Sequence, residues 1–326
     1  MQFSASRLDT NLEIPMTENP TLSLFGDAAP VPLRVRREID GPEWLKAHDA
    51  AVPDAVLDLR DRGAIFMVNH SGGKDSQAMY AFLRRHIPDE QIKVIHAILP
   101  GVEWDGVQEH IEANISHDLI TCQAGKTLLE MVERRGMFPS PSFRQCTSDL
   151  KRGPLEKTIR HTGDKLIVNC MGMRAQESSN RSKLEALKFA ELKSKNEREW
   201  HEWLPIHAWS VSEVFGIIDH VGQKPHWAYE KGMSRLSCCF CIMSSKADLT
   251  TAAKLNPALY KRYVDLERST GQVMLMPSKR HGRLTLEQVT GVFIDKLPDG
   301  ASRTVIPIAV DYEPADGQEE FQLSFC

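Results

Sequence analysis

The sequence has no long hydrophobic run. Its longest apolar stretches, such as the LIVNCMGM of residues 166–173, fall far short of the ~20 residues that a membrane-crossing helix needs. The first residues, MQFSASRLDTNLEIP, lack the basic-then-apolar layout of a secretory signal. Both absences predict a cytoplasmic protein. Internal repeats and low-complexity tracts are missing as well, which excludes solenoids and fibrous arrays. Cysteine is sparse, with seven in 326 residues, and in a cytoplasmic chain these exclude a disulfide framework. Nor is there a surplus of positive charge: 40 Lys and Arg against 44 Asp and Glu leave a formal net charge of −4, unlike a general nucleic-acid coat protein.

What is present is unevenly spread. Residues 144–195 hold 12 Lys or Arg against 6 Asp or Glu, and residues 254–283 hold 7 against 2. Two basic stretches in an acidic chain suit a polyanionic ligand, although individual lysines equally suit solvated helix faces. The cysteines divide in the same way. Cys122 and Cys170 lie in apolar, strand-like segments and read as packing residues. Cys146, Cys238, Cys239 and Cys241 lie among polar and turn-forming residues.

Residues 1–60 read as a loosely ordered appendage, closing with one or two short helices in GPEWLKAHDAAVPDAVLDLRDRG. Residues 61–250 form the core domain, where strand candidates (64–69, 93–99, 118–122, 165–170) alternate with helical segments (76–86, 106–115, 126–135, 154–160). Further helices are expected at 182–193, 210–221 and 256–269, and residues 251–326 form a helical and irregular extension. Short apolar runs alternating with amphipathic helices predict an α/β fold, a doubly wound, mostly parallel sheet covered on both faces.

The chemistry concentrates in SGGKDS, residues 71–76, between the first core strand and a helix. Gly72 and Gly73 permit a sharp turn and close approach of a ligand to backbone N–H groups. With the hydroxyls of Ser71 and Ser76 and the unpaired amides of a helix start, they form an anion cradle. Lys74 adds a full positive charge. Asp75 would repel a phosphate directly, so its role is to hold Mg²⁺ against one. The spacing is not that of the nucleoside-triphosphatase loop G-x-x-x-x-G-K-[ST]. SGGKDS instead resembles the pyrophosphate-binding loop of the ATP pyrophosphatases, the PP-loop or adenine nucleotide alpha hydrolase-like superfamily, which implies that fold and ATP as ligand.

Four further segments resemble the phosphoadenosine phosphosulfate (PAPS) reductase-like branch across residues 64–245. FRQCTSDLKRGPLEK carries Arg144, Cys146, Thr147, Lys151 and Pro154; GMRAQESSNR carries Gly172, Arg174, Glu177, Ser178 and Arg181. WLPIHAWSVSEV and YEKGMSRLSCCFC follow in order. The resemblance implies that Arg174, Arg181 and Lys151 bind phosphate or sulfonate oxygens, with Lys74, Asp75 and Arg174 catalytic. Arginine suits that task because its planar fork binds such groups bidentately. Ion pairing of either arginine with Glu177 or Glu185 is the alternative. Cys146, Cys238, Cys239 and Cys241 suit a [4Fe–4S] cluster, or zinc, with three or four thiolates as ligands.

The chain departs from the branch in two places. The E-C-G-x-H motif whose cysteine attacks the sulfonate is absent, and the last residue, Cys326, lacks that context. After the second strand, LPGVEWD replaces an Asp-Thr pair, with Glu103 in its place. The resemblance therefore implies an enzyme that adenylates a substrate and releases pyrophosphate, for sulfur transfer as in the sulfurtransferases of DNA phosphorothioation and their phage-borne relatives. A cysteine desulfurase or another sulfur donor and a nucleic-acid acceptor, DNA first, are the implied partners. A PAPS reductase is the alternative. A non-catalytic nucleotide- or clamp-binding module is the third, since TLSLF (Thr21 to Phe25) and QLSF (Gln322 to Phe325) resemble sliding-clamp docking peptides.

Overall fold

A computed structural model describes residues 43–277 and 281–294. The expected docking peptides and Cys326 lie outside the described residues, as do residues 1–42 and 295–326 of the two extensions.

Two short helices, α1 (Glu43–Ala50) and α2 (Asp54–Asp61), lead into the first core strand, β1 (Ile65–Asn69). The chain continues through α3 (Lys74–Leu83), β2 (Ile92–Ile98), α4 (Val107–Asn114), β3 (Leu119–Gln123) and α5 (Leu128–Arg135). Helix α6 (Gln145–Thr147) runs through a π-helical turn (Ser148–Arg152) into α7 (Gly153–His161), followed by β4 (Leu166–Met171). Then come α8 (Ser179–Ser182), β5 (Leu187–Phe189), β6 (Glu199–Trp203), α9 (Val211–His220) and α10 (Trp227–Glu230). Three helices end the described chain: α11 (Lys246–Leu255), α12 (Pro257–Thr270) and α13 (Leu286–Thr290).

The strands form one six-stranded sheet in the order β3-β2-β1-β4-β6-β5. Every pairing is parallel except that of edge strand β5 with β6. This is the doubly wound α/β architecture that alternating strands and helices predict. The centre of β1 shows why its sequence lacks alternation. Phe66 and Val68 face a core shared with α3, α9, α1 and α2, while Met67 faces the opposite side with Ile95, Ile159, Ile167 and Trp200. Both faces are covered, so consecutive residues are apolar.

Helix ends follow local rules. Thr127 and Glu130 make a reciprocal capping box at the start of α5, and Gly136 ends it at φ +64°. Ser210 and Glu213 do the same for α9. A second core joins α5 to α11–α13 through Phe240, Leu249, Tyr260, Tyr263 and Leu286.

The structure corrects the helix expected at 182–193. Only its first residue lies in α8; Leu187, Lys188 and Phe189 instead pair with Trp203, Glu202 and His201. Strand β6 itself, EWHEW, went unrecognised because it carries two glutamates and a histidine. Trp200 and Trp203 bury on opposite faces of the sheet, and that tertiary demand overrides the helix-forming composition of the neighbouring segment.

The strand order reverses between β1 and β4: β1 continues to β2 on one side and β4 returns on the other. The carboxyl ends of two adjacent parallel strands diverge there, which is where open α/β sheets bind ligands.

Candidate active site

The SGGKDS loop occupies that switch point. Gly72 adopts φ +74°, and a Cβ there would lie 2.9 Å from Val107 Cγ1, so only glycine fits. Gly73 caps α3 in extended conformation without a side-chain bond. Ser76 Oγ donates to Gly73 O (2.9 Å), accepts the Ser71 N–H (3.1 Å) and lies 3.2 Å from Ser71 Oγ. The loop's amides are less open than the sequence suggests. Gly72 N–H donates to His70 Nδ1 at 3.1 Å, and Lys74 N–H donates to Tyr229 Oη at 3.0 Å. The first-turn amides of Asp75 and Ser76 remain without helical acceptors and point from the start of α3.

Charge is packed tightly behind the loop. Lys74 and Arg174 are only 5% and 3% exposed, and they share one carboxylate: Lys74 Nζ lies 3.0 Å from Asp75 Oδ2, and Arg174 Nε lies 2.6 Å from Oδ1. Burial alone would raise the Asp75 pKa, but the two cations outweigh it and hold the carboxyl below the usual range. Two positive charges against one negative leave a surplus suited to an anion. Both Asp75 oxygens are engaged, so holding Mg²⁺ requires one of these contacts to be exchanged. Arg174 is fixed further by Trp209 O (3.3 Å) and Gln176 Oε1 (3.1 Å). Its loop approaches so closely that a Cβ on Gly172 would sit 2.9 Å from Asp75 O. Arg181 is paired with Glu177, which also accepts the Arg174 N–H.

Two buried histidines next to the loop were missed in the sequence, although His70 directly precedes SGGKDS. Accepting from Gly72 fixes the His70 proton on Nε2, and burial pushes its pKa down to about 3, so the ring is neutral. His96 Nδ1 bonds to His70 O at 2.9 Å. Its Nε2 faces Glu103 Oε1 at 3.5 Å, and Glu103 Oε2 accepts the Leu99 N–H at 3.0 Å. Glu103 thus stands at the end of β2, in the neighbourhood expected for it. His70 Nε2, His96 Nε2 and Trp104 Nε1 are buried without hydrogen-bond partners among the described residues.

The cysteine segment closes over this edge. Asp248 clasps its base, accepting Ser234 N–H and Oγ–H (both 2.7 Å) and Ser245 Oγ–H (2.9 Å). Lys151 is half-buried, and its pKa is raised by the negative charge that Cys238 foremost, then Cys241, Cys146 and Glu103, can place near it. Burial pushes Cys238 up to about 11 and raises Cys146 also. Cys239 is fully buried beside them: its N–H donates to Val102 O at 2.8 Å, and its thiol is raised by burial first and then by Cys238, Asp105 and Glu103. Among the described residues no three Cys, His, Asp or Glu side chains stand in metal-holding geometry. The donor chemistry nevertheless fits a soft metal centre: three thiols share one cation that offsets the charge of their deprotonated forms.

Among the described residues no helix is long and apolar enough to cross a membrane. Residues 65–244 match the family model for the phosphoadenosine phosphosulfate reductase domain. An uncharacterised protein of Escherichia phage 186 is 31% identical over 147 residues, 44% of this chain and 43% of the relative. The chain spans about half the length of the curated relatives it matches. Among solved structures, the PAPS reductase of Candida auris in its phosphate complex aligns at TM-score 0.39 and 11% identity, covering 62% of this chain and 89% of the other. The U34-tRNA thiolase NcsA of Methanococcus maripaludis, with its [4Fe–4S] cluster, aligns at TM-score 0.36 and 16% identity, covering 64% and 69%.

Proposed function

Since the chain belongs to the phosphoadenosine phosphosulfate reductase domain family, we propose that it is an ATP-pyrophosphatase-type enzyme that adenylates a substrate for sulfur transfer to nucleic acid. One observation carries the reading: SGGKDS lies at the switch point with two buried cations, Lys74 and Arg174, around a single carboxylate. That surplus charge and the open amides of α3 suit the β,γ-phosphates of ATP. An acceptor oxygen attacks the α-phosphorus, the bond to the β-phosphate's bridging oxygen breaks, and pyrophosphate leaves with its charge offset by Lys74 and Arg174. A sulfur nucleophile then displaces AMP from the activated position. Mg²⁺, held by Asp75, would add charge neutralisation at the leaving group. Cys146, Cys238 and Cys241 are the residues that would hold an iron–sulfur cluster, which when bound supplies the sulfur-carrying chemistry.

The acceptor side of the reading rests on the loop before Cys146. Phe143 is 78% exposed, next to exposed Arg144, with Arg134 and Arg152 also on the surface. An exposed aromatic ring beside Arg144 suits a base stacked on it and a phosphate held next to it.

Anaerobically purified protein given ATP and Mg²⁺, or PAPS and a thiol donor, tests this reading. AMP and pyrophosphate formed from ATP, faster with single-stranded DNA or RNA present, is the expected result. Adenosine 3′,5′-bisphosphate and sulfite formed from PAPS would replace it with the reductase.

A further inference from the structure

The Tyr229 hydroxyl joins two parts of the site that are far apart in sequence. It accepts the Lys74 N–H at 3.0 Å, from the first residue of α3, and the Leu236 N–H at 3.1 Å, two residues before Cys238. The ring is buried, and Lys74 Nζ stands 5.5 Å from its centroid. Gly73 leaves room for this arrangement, since a Cβ there would lie 3.3 Å from Tyr229 Oη and 3.4 Å from Leu236 Cβ. The helix that carries Tyr229 is itself held to the turn before α4: Trp227 Nε1–H donates to Asp105 O at 3.0 Å, and His226 Nε2 lies 3.2 Å from the same oxygen. One oxygen on a fixed post therefore ties the phosphate loop to the cysteine turn.

Both lone pairs of that oxygen are occupied, and its own proton has no acceptor among the described residues. The hydroxyl sits at the start of α3, where a phosphate oxygen would be bound. Such an oxygen is the missing acceptor, and it also competes with Tyr229 for the Lys74 amide. On either count an arriving anion changes the hydroxyl's bonding to Leu236.

We propose that Tyr229 is a positioning residue through which occupancy of the phosphate loop is transmitted to the cysteine turn: a bound pyrophosphate oxygen accepts a hydrogen bond from the Tyr229 hydroxyl, the hydroxyl shifts, and Leu236 carries the shift to Cys238 and Cys241. This rests on the reading of SGGKDS as a pyrophosphate loop. It makes the thiols responsive to whether nucleotide is present, so sulfur chemistry follows activation and does not precede it.

The test uses the full chain, with inorganic pyrophosphate and Mg²⁺ as the probe. Binding is measured by calorimetry. Hydrogen–deuterium exchange is followed on the peptide containing Leu236, and alkylation rates on Cys238 and Cys241. In the native protein pyrophosphate should change the Leu236 peptide's exchange by about tenfold, the equivalent of one hydrogen bond of ~1.4 kcal/mol. Tyr229→Phe keeps the ring and removes the oxygen, so exchange and alkylation should be fast from the outset and no longer respond to the probe. Phe215→Leu alters the ring packed against Tyr229 (centroids 5.9 Å apart) without touching the hydroxyl, and should keep the response. Binding with no change at Leu236 overturns the coupling alone, as does a response that survives in Tyr229→Phe or is lost equally in Phe215→Leu. Absence of binding overturns the pyrophosphate reading and the coupling with it.

Discussion

Replacing Asp75 with asparagine removes the one negative charge between two buried cations while keeping the side chain's shape. The carboxylate holds Lys74 Nζ at 3.0 Å and Arg174 Nε at 2.6 Å. An amide oxygen can still accept from one of them, but the amide N–H₂ then faces the other. Leaving a buried charge without its partner costs about 3–5 kcal/mol. Arg174 keeps Trp209 O and Gln176, which places the expected loss near the lower end, about 3 kcal/mol. For a chain of this size that lowers the melting temperature by about 6–12 °C. Pyrophosphate should then recover most of the loss, because it supplies the negative charge that Asp75 no longer does. Thermal denaturation of both proteins with and without pyrophosphate measures both effects. A variant that melts within about 2 °C of the native protein would show that the carboxylate does not offset the two cations. With Mg²⁺ left out, stronger stabilisation of the native protein by pyrophosphate would show that the anion binds elsewhere.

Two further outcomes follow from close contacts and burial. Gly172→Ala would bring a Cβ within 2.9 Å of Asp75 O and 3.1 Å of Ser76 N, both backbone atoms. We expect a loss of about 1–3 kcal/mol in denaturant unfolding and weaker pyrophosphate binding, whereas Gly125→Ala, with nothing within 4 Å, should change neither. Equal effects of the two substitutions would refute the close approach. Glu267 is 1% exposed and accepts the N–H groups of Met274 and Leu286, both at 2.7 Å; burial pushes its pKa up to about 7 from 4.5. The folded state then binds the proton more tightly than the unfolded one, so its contribution is complete below pH 4.5 and declines as pH rises through 7, by about 3 kcal/mol in all. Denaturation at pH 5 and pH 8 should show this fall in the native protein and a flatter profile in Glu267→Gln; parallel profiles would refute it.

The phosphate loop was legible because its chemistry is local. Strand, glycines, lysine, aspartate and helix follow one another within about a dozen residues, and a parallel sheet places the end of its first core strand at the ligand edge. Arg174 was legible for the related reason that it follows another strand of the same sheet. Arg181, seven residues further on, is paired with Glu177, the alternative that the sequence left open. Once the chain leaves the strand end, the choice between a ligand's oxygens and Glu177 depends on the turn of α8, which spacing alone does not reveal. His70 and His96 were hidden differently. Each reads as an ordinary residue near a strand, and only the bond that His70 accepts from the Gly72 N–H and the bond between His96 Nδ1 and His70 O show them as buried rings held beside the loop.

The cysteines show where pattern reading stops. A C-x-x-C spacing treats Cys238, Cys239 and Cys241 as one donor set, but consecutive side chains on a turn point in different directions, and Cys239 is drawn into the core behind Val102. Near Cys146, Cys238 and Cys241 stands a half-buried lysine from a π-helical turn, brought there by the crossover between β3 and β4. A lysine in that place suits thiols that are at times anionic, as metal ligands or sulfur carriers are. The same turn that carries these thiols is tied through Tyr229 to the start of α3. Two segments that lie about 160 residues apart in the sequence, the phosphate loop and the turn with Cys238 and Cys241, are thus joined through one hydroxyl at the same sheet edge.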